Sequence, residues 1–180
     1  MSNNFSVFDK IKVGDLIFTR SEDLIGEFIR FITTSEINHV GIYIGDGRMI
    51  ESQLNFGVRI INIQQYLDDK NTSIFVGHLI NVNEQIRQKT LEEANNLLNR
   101  PYDLLGQIGI LFKIIIIRLG LKKVVYFYGK NINHNKRGYW CSELVTHCFN
   151  KAGLELTEVD KRYATPEDLA VSKFVDFKNF

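Results

Sequence analysis

Asn38-His39-Val40-Gly41-Ile42-Tyr43-Ile44-Gly45-Asp46-Gly47-Arg48-Met49-Ile50-Glu51-Ser52 is the stretch whose reading decides the fold. Large apolar residues come at every second position from Val40 to Ile44, and a second β-rich run follows from Arg48 to Ser52. Period-two patterning is the mark of a strand. The intervening Gly45-Asp46-Gly47 tolerates the positive φ that a tight hairpin turn demands. The stretch therefore predicts two antiparallel strands, with His39 at the start of one and Glu51 near the end of the other.

Outward from this hairpin, Gly57–Ile63 and Ile74–Ile80 are further β-rich runs, and Asp15–Thr19 reads as a short strand after the Val13-Gly14 turn signal. Leu24, Ile25, Phe28, Ile29 and Ile32 recur at helical spacing and predict a helix over about 23–33. Asn83–Asn99 reads as a polar amphipathic helix whose apolar positions are Ile86, Ala94, Leu97 and Leu98. Between Tyr139 and Ala152 the residues Leu144, Val145, Cys148, Phe149 and Ala152 make one stripe, and Gly153 stops the helix. Thr165-Pro166-Glu167-Asp168 is a helix start, with Thr as N-cap, Pro at the first helical position and an acid two residues later. Short strands flanked by helix-rich stretches imply an α+β fold.

The chain has 180 residues and is 44% hydrophobic, which suits one domain with a real core and excludes a disordered tail. No repeat or Pro/Ser-rich linker divides it, so a single domain over 1–180 is expected. A formal net charge of +1 argues against a nucleic-acid binder. Two cysteines do not make a disulfide scaffold. Met1–Gly14 is polar and lacks an apolar h-region, so a cytoplasmic address is expected.

One segment departs from this balance. Leu104–Leu121 is very apolar but interrupted by Gln107, Lys113 and Arg118, which reads as a buried helix rather than a membrane span. Between Leu104 and Ser142 the only charged residues are Lys113, Arg118, Lys122, Lys123, Lys130, Lys136 and Arg137, all basic. This apolar-basic insert at about 104–137 is read either as core and solvated surface or as a weak contact for anionic membrane through Lys113, Arg118, Lys122 and Lys123.

Cys141 is the candidate nucleophile. It falls in the first turn of its helix, where the macrodipole and unpaired N–H groups favour a thiolate and can hold a developing oxyanion. A small buried apolar residue is the competing reading there, and it suits Cys148 well. His39, projecting from a strand end, is placed to serve as base, and strand pairing brings Glu51 close enough to orient its ring. Cys141, His147 and Cys148 lack chelating spacing, and there is no C-x-x-C or H-E-x-x-H, so no metal is expected. No phosphate loop or G-x-G-x-x-G is present, and no cofactor is expected.

As a set and in this order, Val13-Gly14-Asp15-Leu16-Ile17-Phe18, Asn38 to Gly45, Ile50-Glu51-Ser52 and Tyr139-Trp140-Cys141-Ser142-Glu143-Leu144-Val145 resemble the circularly permuted NlpC/P60 (YiiX/YaeF-like) papain-fold cysteine hydrolases. That family also includes poxviral and lecithin–retinol acyltransferase-like relatives. Histidine preceding cysteine by about a hundred residues is the permuted order. The resemblance runs from about residue 12 to 172. It implies a papain-like fold, with an antiparallel sheet packed against the helix carrying the cysteine. It also implies Cys141 as nucleophile, His39 as base and Glu51 as third member. Arg100-Pro101-Tyr102-Asp103 resembles the family's Pro-Tyr element, which implies a place for the Tyr102 hydroxyl near the nucleophile. The activity implied is hydrolysis of an amide or ester through a thioacyl intermediate, with a small peptide or γ-glutamyl amide favoured. A lipid acyl group is the alternative substrate, and a non-catalytic binding or host-interaction module the alternative class.

Overall fold

The computed structural model describes residues 10–22, 27, 35–104, 106–109, 138–159 and 164–179. The helix expected over 23–33 lies outside the described residues apart from Glu27, as does most of the 104–137 insert, including Lys113, Arg118, Lys122 and Lys123. Six strands form one antiparallel sheet: β1 (Leu16–Ser21), β2 (His39–Gly45), β3 (Arg48–Gln53), β4 (Gly57–Asn62), β5 (Thr72–Leu79) and β6 (Val175–Asn179). Their spatial order is β4-β3-β2-β1-β5-β6. The helices are α1 (Gln64–Leu67), α2 (Glu84–Asn96), α3 (Cys141–Ala152) and α4 (Pro166–Ala170).

The sheet has an apolar cluster on each face. Leu16, Phe18, Val40, Ile42, Ile50 and Val58 pack with Leu144, Val145, Cys148 and Phe149 of α3. Ile17, Tyr43, Met49, Ile61 and Val76 form the second cluster, against which Tyr66 and Leu67 of α1 rest. Alternation along β2 and β3 thus sends the two sets of side chains to opposite faces. His39, Gly41 and Glu51 belong by the same alternation to the second face.

Helix α3 owes its length to an apolar stripe and its end to Gly153, which takes the left-handed conformation with φ 94°. Its first intrahelical bond runs from Leu144 N–H to the Trp140 carbonyl at 2.9 Å, so the three N–H groups of residues 141–143 have no helical partner. Trp140, as N-cap, offers no side-chain bond to them. The start of α4 is built as expected, with a Thr165–Asp168 capping box and Pro166 in the first turn.

Three expectations need correction. The first strand runs Leu16–Ser21 and leaves Asp15 outside it, because Asp15 is spent on other bonds. Its carboxylate accepts from Arg87 Nη1 at 2.8 Å, His78 Nδ1 at 2.9 Å and Leu79 N–H at 3.0 Å. Helix α2 ends at Asn96, earlier than expected, and its polar pattern conceals the buried Arg87 that this carboxylate demands. The sheet also gains β6, pairing with β5, and the single-turn α1 follows β4. Among the described residues no helix is long and apolar enough to cross a membrane.

Candidate active site

His39 is the first residue of β2, and Gly41, two positions on, stands directly opposite Glu51 of β3. A side chain at position 41 would come within 2.9 Å of the Ile50 carbonyl. With glycine there, the Glu51 side chain crosses to His39, and His39 Nε2 lies 2.7 Å from Glu51 Oε2. Nε2 being committed, Nδ1 is the nitrogen left to face the Cys141 thiol, which lines the same cleft and is among the groups that raise the imidazole. The first turn of α3 therefore meets the start of β2, with Cys141 and His39 on one cleft and Glu51 bonded to the imidazole.

Glu51 is fully buried and takes donors on both oxygens. Tyr66 O–H donates to Oε2 at 2.7 Å, and Arg59 Nε donates to Oε1 at 2.9 Å. Burial pushes the carboxyl up, but the His39 bond and charge, the Tyr66 bond and the Arg59 charge outweigh it, and the group sits below its ordinary 4.5. Burial pulls His39 down, and the Cys141 and Glu51 hydrogen bonds with their charges overcome it, so the imidazole is pushed up to about 10. Cys148, by contrast, is pushed up by burial and then by the charge of Glu93, which leaves it a neutral thiol.

Tyr102 reaches the same place by a separate route. The chain on either side of the insert pairs briefly, with Tyr139 N–H on the Pro101 carbonyl at 3.1 Å and Asp103 N–H on the Tyr139 carbonyl at 3.4 Å. Ser52 Oγ anchors this strip to β3 by donating to the Tyr139 carbonyl at 2.5 Å. The insert therefore leaves and rejoins the body beside the nucleophile. Burial, then the nearby Cys141 and Asp103 charges, push Tyr102 upward, so its hydroxyl keeps its proton.

A cleft of about 340 Å³ opens at this point. Cys141, His39, Tyr66 and Tyr102 line it, with Asn38, Gln53, Asn55 and Gln107 supplying polar walls and Phe56 the rim. Phe56 is 63% exposed. The sequence reading brought Cys141, His39, Glu51 and Tyr102 to this site and missed Arg59, Tyr66 and Gln53. A usable signal for Arg59 existed, since a turn at Leu54-Asn55-Phe56 pairs Gln53 with Gly57 and so sets Glu51 opposite Arg59.

A family model described as "permuted papain-like amidase enzyme, YaeF/YiiX" matches residues 10–107, a stretch that holds His39 and Glu51 and ends before Cys141. The chain is 25% identical to the Escherichia coli K12 protein named "Probable lipoprotein peptidase YaeF", over an alignment of 187 positions. That alignment covers 94% of this chain and 66% of the relative, so the chain spans just under two thirds of its length. The fold matches a solved structure from Escherichia coli O157:H7, titled metalloprotein yiiX, with a TM-score of 0.65 and 15% identity over 95% of this chain and 99% of that one. At that identity the likeness speaks for the fold alone. Among the described residues no three His, Cys, Asp or Glu side chains are grouped as metal ligands would be.

Proposed function

The chain belongs to the permuted papain-like amidase family of YaeF and YiiX, and from that premise we propose that it is a cysteine-dependent amidase or peptidase working through a thioacyl intermediate on Cys141. The observation that carries this reading is that Cys141 and His39 line one cleft, with His39 Nε2 2.7 Å from the buried Glu51 carboxylate.

His39 takes the Cys141 proton, and Sγ adds to the substrate's carbonyl carbon. The Cys141 N–H in the first turn of α3, with the Tyr102 hydroxyl, receives the oxyanion. The C–N bond breaks as His39 gives its proton to the leaving amine, and a thioester remains. Water then adds to the thioester, His39 accepts its proton, and the carboxylic acid departs as the thiol is restored. Glu51 holds the ring in register and balances the imidazolium through both halves.

A peptide-type amide is the substrate class this cleft suits, because its walls are polar and carry the side-chain amides of Asn55 and Gln107, which can bond a peptide backbone. A second reading, a lipid acyl group, draws on the exposed Phe56 at the rim and on Leu104 and Ile108, exposed beside Gln107.

Incubation with a panel of peptide amides, γ-glutamyl amides and acyl esters, followed by intact-protein mass spectrometry, tests the proposal. An acyl adduct on Cys141 that disappears in Cys141→Ala and in His39→Ala is expected. At pH 6 iodoacetamide should label Cys141 far faster than Cys148, and His39→Ala should remove the difference. Equal labelling of the two thiols in the native protein would favour a binding module using the same cleft.

A further inference from the structure

The line Cys141–His39–Glu51 contains one cationic group between two that carry negative charge when the site is active. A buried carboxylate is tolerated only when it is paired and its lone pairs are filled. His39 cannot neutralise both the thiolate and Glu51. Arg59 supplies the missing charge. Its Nε and Nη2 both lie 2.9 Å from Glu51 Oε1, the oxygen that His39 does not use.

Arg59 stands directly opposite Glu51 in the β3–β4 register, on an edge strand of the sheet. Its guanidinium is held from two further sides. Nη2 donates to Gln53 Oε1 at 2.7 Å, and the cation lies 4.1 Å from the centre of the Phe56 ring. Gly57, with φ 68° and no room for a side chain against the Arg100 carbonyl, fixes the turn that presents Phe56. The charge is thus permanent and oriented, and Phe56 shields it at the cleft rim.

We propose that Arg59 is a positioning residue that keeps Glu51 ionised, and so keeps His39 a cation beside the Cys141 thiolate. This rests on the reading of Cys141, His39 and Glu51 as one reactive line. The groups facing Glu51 are His39 from β2, Arg59 from β4 and Tyr66 from α1, with Cys141 of α3 beyond the imidazole. Tyr66 gives Glu51 a hydrogen bond without charge. When Arg59 is removed, Glu51 takes up a proton at higher pH, His39 loses its anionic support, and the ion pair with the thiol collapses over a pH range where the native protein holds it.

The rate of iodoacetamide alkylation at Cys141, followed against pH with Cys148 as internal reference, tests this. In Arg59→Gln the acid limb of the profile moves upward by about one pH unit, the size expected for loss of an opposite charge at hydrogen-bond distance. Arg59→Lys keeps a charge on the same edge strand, and its limb falls between the two. A limb in Arg59→Gln coincident with that of the native protein, even at a lower overall rate, overturns the proposal. Because the limb position is read within each variant, a change in folded fraction does not mimic the shift. If Arg59→Gln does not fold, Arg59→Lys alone decides, and an unshifted limb there overturns the proposal. A native protein in which Cys141 shows no advantage over Cys148 at pH 6 would overturn the parent reading instead, and this one with it.

Discussion

Glu51 and Asp15 are both buried carboxylates, each clasped by one histidine and one arginine. Glu51 receives its bonds from side chains only: His39, Arg59 and Tyr66. Asp15 takes two of its four from the backbone, Lys12 N–H at 3.1 Å and Leu79 N–H at 3.0 Å. Arg87, its cation, is itself buried and also grips the Val13 and Leu79 carbonyls at 2.9 Å. Arg59 is 29% exposed and grips no backbone carbonyl among the bonds described for it. The Asp15 cluster thus ties the loop before β1 to the end of β5 and to α2. The Glu51 cluster joins side chains of β2, β3, β4 and α1 around a cleft that Cys141 also lines. A carboxylate, a histidine and an arginine become a candidate site through what stands on the far side of the histidine.

Glu51→Gln gives the largest contrast. It preserves shape and removes charge, so turnover falls by about 10² to 10⁴ fold, the range for losing the support of an acid–base group. Arg59 can turn to solvent and His39 can release its proton, so the unfolding midpoint in urea moves less than for the next variant. A midpoint shift as large as that one, with turnover retained, would make Glu51 a second structural strut.

Asp15→Asn reverses the pattern. It strands the buried Arg87 charge, and breaking a buried pair from one side costs about 3 to 5 kcal/mol. Urea denaturation should register that loss, while the pH profile of Cys141 alkylation in the folded protein stays where it was.

The same comparison shows what the chain makes legible before folding. The β2–β3 hairpin and the stripe of α3 follow from local periodicity, and with the hairpin the approach of Glu51 to His39, whereas a place for Cys141 beside them comes from the family resemblance. The capping box at Thr165 is equally local. Arg87 reads as one more charge on a polar helix, because the partner that draws it inward, Asp15, is 72 residues away. Tyr66 sits on a helix of four residues, too short to have a period. The strand β6 has only Val175 and Phe177 to mark it. Its place depends on Phe177 meeting Phe18 and Phe75, with ring centres 5.3 and 5.4 Å apart. Whatever pairs across a long loop was hidden, and whatever repeats within a few residues was visible.

Titration sharpens the contrast further. Glu51 is held below 4.5 in the folded protein, so the stability it contributes is present above 4.5 and lost as pH falls through the lowered value. Glu51→Gln should flatten that acid limb in a urea-midpoint series. His39 is raised from 6.5 to about 10, so its contribution is complete below 6.5 and lost as pH rises through about 10. The charge itself is best read by NMR: the His39 ring should remain an imidazolium at pH 8. A neutral His39 ring at pH 8 would contradict the ion-pair picture.

The smallest effect is expected at His78, and it isolates what histidine adds to a buried carboxylate with no thiol beyond it. His78 is 29% exposed on its side chain, and its Nδ1 lies 2.9 Å from Asp15 Oδ2. In His78→Gln the Asp15 carboxylate keeps Arg87 and two backbone N–H groups, so no charge is stranded. The loss is that of one partly exposed hydrogen bond, about 1 kcal/mol. Substituting His39 in the same way should instead erase the selectivity of Cys141 labelling. Because the two substitutions remove the same group from chemically similar clusters, their ratio separates chemistry from scaffolding. A urea midpoint for His78→Gln that falls as far as that of Asp15→Asn would show that the histidine, rather than Arg87, holds the Asp15 cluster together.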